Sequence, residues 1–228
     1  MLLHLYWRTF LDKYTKIQTI FWRDPASHNK TLLESKWSHP AFEYLKDNEW
    51  EYTEKINGTN IRVIFDGSKM ILKAKDEGSQ VPGVLIPYIY ENFPTDKFIK
   101  LGLPPLTLYG EGYGKGIQNE KGFNYRDDVS LIIFDIWIDG WWLERDNMMD
   151  IAEKLNVGVV PIVGRGTLMA GYEKVREGFK SLIADCQAEG LVMRPAVTLF
   201  DRKGERIITK IKHKDFIEPN QRTIPITP

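Results

Sequence analysis

The stretch from Glu51 to Phe65, "EYTEKINGTNIRVIF", places two strand-like apolar runs on either side of Asn57 and Gly58. Trp50, Tyr52 and Ile56 lie before the pair, and alternating Ile61, Val63 and Phe65 lie after it. Asn-Gly is the strongest short hairpin signal, because both residues tolerate positive φ. Read locally, the stretch is a hairpin and Lys55 is a solvated charge beside its turn. That lysine directly follows Glu54 and stands two residues before the turn, so the rest of the chain decides whether it is ordinary.

Charge interrupts other apolar runs in the same way. Lys73 and Lys75 do so in "ILKAK", Glu111 ends "LTLYGE", Glu189 opens "EGLVMRP", and Lys210 and Lys212 lie within "IITKIK". Burying such groups is costly, and in a strand residues two apart share a face. Ile208, Lys210, Lys212 and Lys214 are therefore expected on one face, with Thr209, Ile211 and His213 on the other. One such strand is a solvated sheet face. Several, converging in one groove, make a site for a polyphosphate and its metal ion.

The 228 residues are 43% hydrophobic and 12% aromatic, enough for a substantial core and too apolar for disorder. Lys+Arg and Asp+Glu both number 31, so any nucleic-acid site must be local. The single cysteine, Cys186, builds neither a disulfide nor a zinc quartet and fits a reducing cytoplasm. "MLLHLYWRTF" is cut short by Arg8 with no cleavage site following, and no apolar run reaches the length of a membrane span. "YTKIQTIF" reads as a strand and "PAFEYLKD" as a short helix. Strands follow near 50–56, 59–66 and 69–75. "VLIPYIYENF" reads as a helix interrupted by Pro87, and "RDNMMDIAEKLN" and "GYEKVREGFKSLIADC" have helical spacing. "LPPLTLYGEGYGKGIQ" reads as a strand and a glycine-rich loop. "VSLIIFDIWIDGWWLE" reads as a strand, an Asp-Gly turn and a short strand, and "EGLVMRP" and "ERIITKIKHKDF" as strands. Strands meeting at turns, with helices outside, predict an α+β fold of antiparallel sheets with no linker to a second folded domain.

In this order the charged strands resemble the covalent nucleotidyltransferase superfamily of ligases and RNA capping enzymes. The likeness is greatest to the RNA ligase 2 type of bacteriophage RNA ligase. "EKINGTN" resembles the lysine motif, "LKAK" the next basic motif, and "YGEGYGKGIQ" the third. "IIFDIW" resembles the aromatic motif, "AEGLVMR" the fourth and "ITKIK" the fifth. The resemblance runs from about Trp50 to Phe216. It implies one nucleotidyltransferase (adenylylation) domain at 50–228, antiparallel sheets flanked by helices, no OB-fold domain, and residues 1–49 as an N-terminal extension packed on the core.

The resemblance also implies the chemistry: an ATP-dependent RNA ligase using Mg2+, or alternatively Mn2+. Lys55 attacks the α-phosphorus of ATP to form lysyl-AMP. The AMP then passes to an RNA 5′-phosphate, and a 3′-hydroxyl displaces it, a reaction of RNA repair. By the same resemblance, Glu54 belongs to the adenine-facing edge, Asn60 lies near ribose or phosphate, and Glu111 takes the ribose hydroxyl or helps place metal. Phe134 stacks on adenine, Glu189 holds a metal-bound water, and Lys210 and Lys212 grip the phosphate. Lys75 fills the second basic motif, where the family usually has arginine and where Lys73 competes. DNA ligases and capping enzymes carry arginine two residues after the motif glycine. Asn60 stands there and favours the RNA-ligase branch over a minimal DNA nick ligase or a guanylyltransferase. A non-catalytic nucleic-acid or adenylate-binding module would need no nucleophile. About a dozen residues follow Phe216, so the resemblance implies that the relatives' C-terminal domain is missing. The expected substrate is then a pre-aligned nick whose 3′-hydroxyl strand is RNA, with a partner protein replacing that domain, or loosely held single strands, as the alternatives.

Overall fold

The computed structural model describes residues 14–118 and 123–217, so the opening apolar run lies outside the described residues. In chain order the strands are β1 (Gln18–Thr19), β2 (Phe21–Arg23), β3 (Leu32–Trp37), β4 (Trp50–Lys55), β5 (Thr59–Phe65), β6 (Met70–Ala74), β7 (Leu106–Gly114), β8 (Val129–Ile138), β9 (Trp141–Trp142), β10 (Gly158–Val159), β11 (Ile162–Gly166), β12 (Gly190–Pro195) and β13 (Thr209–Lys212). The helices are α1 (Pro40–Tyr44), α2 (Leu85–Asn92), α3 (Thr95–Lys100), α4 (Arg145–Lys154) and α5 (Leu168–Glu177). None is long and apolar enough to cross a membrane. The expected α+β architecture is present, mostly antiparallel, and it forms two compact units.

The first unit comprises residues 15–56, 123–124 and 161–217. Its sheet runs β1-β13-β12-β4-β11, and β2 pairs with β3 beside it. One face is apolar by strict alternation: Trp50 and Tyr52 of β4, Leu191 and Met193 of β12, and Ile211 of β13. Leu168, Tyr172 and Val175 of α5 and Phe42 of α1 complete this core. The opposite face therefore receives Glu51, Thr53 and Lys55, Val192 and Arg194, and Lys210 and Lys212.

The second unit comprises residues 14, 57–118 and 125–160. Its sheet runs β10-β8-β7-β5-β6, with β9 on β8. Ile61, Val63, Phe65, Leu106, Leu108, Leu131, Ile133 and Ile136 pack against Leu85 and Ile89 of α2, Phe98 of α3, and Met148 and Ile151 of α4.

Several local readings give way to tertiary structure. The Asn57-Gly58 turn is no hairpin: β4 pairs with β11 and β12, while β5 pairs with β6 and β7. Neither Asn57 nor Gly58 has positive φ. Pro87 does not interrupt α2, because it is the third residue of the helix, where a missing N–H removes no intrahelical bond. α5 begins at Leu168, capped by Thr167, and stops at Gly178 (φ 82), so residues 179–186 are not helical. The opening strand is broken into β1 and β2, and the last strand ends at Lys212. Lys214 lies in the 3-10 turn His213–Asp215 and leaves the lysine face, and Ile208 precedes the strand. β3, β10 and β11 had no clear sequence signal.

Residues 179–188 form a loop closed by Ser181 N–H on Cys186 O and Ala188 N–H on Phe179 O, both at 2.9 Å. Glu54, buried on the core face of β4, anchors it: Oε1 accepts from Ser181 Oγ at 2.5 Å and Oε2 from Leu182 N–H at 2.8 Å. Burial pushes the Glu54 carboxyl up, while these two hydrogen bonds pull it down less strongly. A carboxyl raised in the folded state contributes stability below its unfolded pKa and loses it as pH rises through the folded value. Glu54→Gln should therefore melt higher than the wild type at neutral pH, with the gap closing on acidification. A gap independent of pH in a melting series would remove this carboxyl from the balance.

In the second unit, half-buried Lys97 bridges two helix ends. Its Nζ donates to Asn92 O at 3.0 Å and to Leu155 O at 2.6 Å. These carbonyls lie at the C-termini of α2 and α4, where a cation is favourable. Lys97→Met should cost about 1–2 kcal/mol, since both acceptors lose a donor. A urea midpoint equal to wild type would refute the bridge.

Candidate active site

In the first unit the structure brings Lys55, Glu189 and Lys212 together. β12 lies between β4 and β13, and Gly190 pairs with Lys55 on one side and Lys212 on the other. Glu189 immediately precedes that row. Lys55 Nζ lies 2.6 Å from Glu189 Oε2, and Lys212 Nζ lies 2.7 Å from Oε1. The Glu189 side chain is only 4% exposed, so its charge requires such partners. Two cations on one carboxylate leave local positive charge, which suits a phosphate. Lys210 stands two residues back on the same strand face, beside Val192.

Gly190 makes this row possible. Its φ is +155°, and a Cβ there would stand 2.0 Å from Ile211 O. Any side chain would push β13, and with it Lys212, away from β12. Glu54 faces the opposite side of β4, and both of its oxygens engage the 179–188 loop.

In the second unit Asn60 and Glu111 pair directly across β5 and β7. Gly58 precedes them, and a Cβ on it would lie 2.2 Å from Gly112 O. Close approach therefore demands this glycine, where the sequence suggested a left-handed turn. Asn57 N–H donates to Tyr125 Oη at 3.1 Å, which ties the residues after the lysine to β5's own unit. Asn60 Oδ1 is buried without a hydrogen-bond donor, an acceptor that a ligand hydroxyl would satisfy.

Phe134 is the bulged residue of β8: Tyr109 pairs with Asp135, and the adjacent Gly110 pairs with Ile133. A bulge re-aims its side chain. The half-buried ring meets Tyr14 edge-on, with centroids 5.1 Å apart. Tyr14 also donates its hydroxyl to Asp135. No local sequence signal marked Tyr14, although Asp135 lies inside "IIFDIW". Lys73 is on β6 and Lys75 just beyond its end, and both are exposed.

Among the described residues no group of three or more His, Cys, Asp or Glu could hold a metal by itself. Glu189 supplies one hard carboxylate, which fits Mg2+ when phosphates and water provide the remaining ligands.

The fold is shared with Naegleria gruberi RNA ligase. A variant solved with ATP and Mn has a TM-score of 0.63 at 18% identity, covering 90% of this chain and 57% of that one. A second variant with ATP and Mn gives 0.62 at 20% identity, covering 90% and 56%. The structure with PPi gives 0.62 at 20% identity, again over 90% and 56%. The chain thus spans little more than half the length of these proteins. No curated protein matches the sequence. A family model described as RNA ligase matches residues 48–212, most of the chain and every charged strand considered above. The chain belongs to the RNA ligase family.

Proposed function

We propose that this protein is an ATP-dependent RNA ligase that joins 5′-phosphate and 3′-hydroxyl ends through AMP carried on Lys55. The observation that carries this reading is the Lys55–Glu189–Lys212 arrangement, at 2.6 and 2.7 Å, within a member of the RNA ligase family. A binding module has no need of a half-buried amine held at the end of a strand.

In the first step Lys55 Nζ attacks the α-phosphorus of ATP. The N–P bond forms, pyrophosphate leaves, and Nζ loses a proton. Glu189 Oε2 is within reach of that proton. Lys210 and Lys212 stabilise the charge that develops on the phosphates. Magnesium or manganese bound at Glu189 would add positive charge beside the phosphates and disfavour the ammonium form of Lys55.

Phe134 stacks on adenine, and Asn60 and Glu111 accept from ribose hydroxyls. The unsatisfied Asn60 Oδ1 supports that role. Glu54 shapes the adenine-facing edge through the loop it anchors. Lys75 contacts a nucleic-acid phosphate as a point charge, without the fork an arginine would offer. Glu111 is the second carboxylate proposed to help place the metal ion.

Incubation with ATP and Mg2+ should add the mass of one AMP to the protein, and Lys55→Ala should add none. That variant should still fold, at a lower melting temperature, because Glu189 keeps Lys212 as a partner. Labelling from GTP in preference to ATP would point to a guanylyltransferase, and AMP retained by Lys55→Ala would refute the mechanism.

Phe134→Ala should weaken ATP use more than Phe134→Leu does, since base–aromatic stacking is worth roughly 1–3 kcal/mol. Parallel losses of melting temperature and of labelling in both variants would instead make Phe134 a packing residue.

A further inference from the structure

The family match begins at residue 48, yet the segment before it meets the lysine strand at two points. β1 pairs in parallel with β13, placing Thr19 opposite Lys210, and Thr209 Oγ1 donates to Gln18 O at 3.0 Å. Without β1, the strand carrying Lys210 and Lys212 would be the edge of its sheet. The second point is Arg23, the last residue of β2. Its Nη2 lies 2.8 Å from each carboxylate oxygen of Asp215.

Asp215 controls where Lys212 stands. Lys212 is the last residue of β13, and the chain turns at once through His213–Asp215. Asp215 Oδ2 accepts the Lys212 backbone N–H at 3.2 Å and closes that turn. The Asp215 side chain is only 3% exposed, so its charge needs a counter-charge. Arg23 provides one, and it is itself fixed. Its Nη1 donates to Asn29 O at 3.2 Å, in a loop where His28 and Asn29 adopt φ of 53° and 60°. At the far end, Lys212 Nζ reaches Glu189, whose backbone carbonyl also accepts His213 N–H at 2.8 Å. The contacts thus run from Arg23 through Asp215 and Lys212 to Glu189 and Lys55.

We propose that Arg23 is a positioning residue: through Asp215 it fixes the backbone of Lys212, and so the place of the Lys212 ammonium at the phosphate site. This rests on the ligase reading for its catalytic consequence but not for its geometry. A partly buried ion pair is by itself weak support for stability, so its placement one turn from Lys212 is the informative feature. Lysine at position 23 would supply charge but could not serve Asn29 and Asp215 together in one planar group.

The test uses the full chain with Arg23→Met, Arg23→Lys, Asp215→Asn and the Arg23→Met/Asp215→Asn double variant. Amide hydrogen exchange should quicken at Lys212 and His213, while Tyr52 and Leu191 in the same sheet stay protected. The rate of AMP labelling at saturating ATP should fall by about tenfold or more, as expected when a reacting group is misplaced. Arg23→Lys should lie between Arg23→Met and wild type. The double variant should be no slower than the slower single one, because the two residues act as a unit. Should Arg23→Met not fold, the isosteric Asp215→Asn carries the same comparison. Unchanged exchange at Lys212, or wild-type labelling in variants that melt lower, would make the ion pair structural only and overturn the proposal. If the wild type itself takes up no AMP, the ligase reading fails, and exchange at Lys212 alone decides whether Arg23 positions it.

Discussion

The Glu189 carboxylate, held between the ammonium groups of Lys55 and Lys212, is the interaction on which the first unit is organised. A charge so little exposed is tolerable only with partners at hydrogen-bond distance. Meeting that condition requires β4, β12 and β13 to align so that Lys55, Gly190 and Lys212 form one row. The glycine, the buried glutamate and the two strand-end lysines are therefore one requirement expressed at four positions. A chain carrying the lysines without Gly190 could not bring β13 close enough.

The same sheet shows how one strand serves two purposes. Alternation sends Trp50 and Tyr52 into the core and Glu51, Thr53 and Lys55 to the opposite face. Glu54 is the exception in chemistry, a carboxylate on the core side, and it is tolerated because the 179–188 loop supplies Ser181 and Leu182. Neighbouring residues of one motif thus act on opposite faces. Lys55 belongs to the face that carries Lys210 and Lys212, and Glu54 belongs to the scaffold behind it.

The segment before residue 48 has a comparable logic. It gives Ile20, Phe21, Phe42 and Leu45 to the apolar core of the first unit, and it also supplies a strand beside Lys210 and a guanidinium beside Asp215. Both contacts act on β13, the strand that would otherwise be exposed at an edge. Strand edges lose order readily, and a strand that must present lysines at fixed positions gains from a second neighbour.

Much of this protein was legible in its sequence. Alternating apolar residues located the principal strands, because burial of one sheet face imposes a two-residue period wherever the strand lies. Charges inside those strands drew attention to Glu111, Glu189, Lys210 and Lys212, but equally to Lys73 and Lys75, which are exposed. Lys55 reads locally as a solvated charge, so the order of the motifs rather than charge alone singled out the candidates. What followed from long-range contact was not legible. Asn57-Gly58 has the chemistry of a hairpin, yet its flanking strands go to different sheets, and Gly58 is required by the Gly112 carbonyl. Lys214 continues the lysine period on paper, but Asp215 ends the strand at Lys212. Tyr14 against Phe134 and Arg23 against Asp215 join positions more than a hundred residues apart. No local pattern encodes such pairs, because their stabilisation arises only once the sheets have brought them within contact distance.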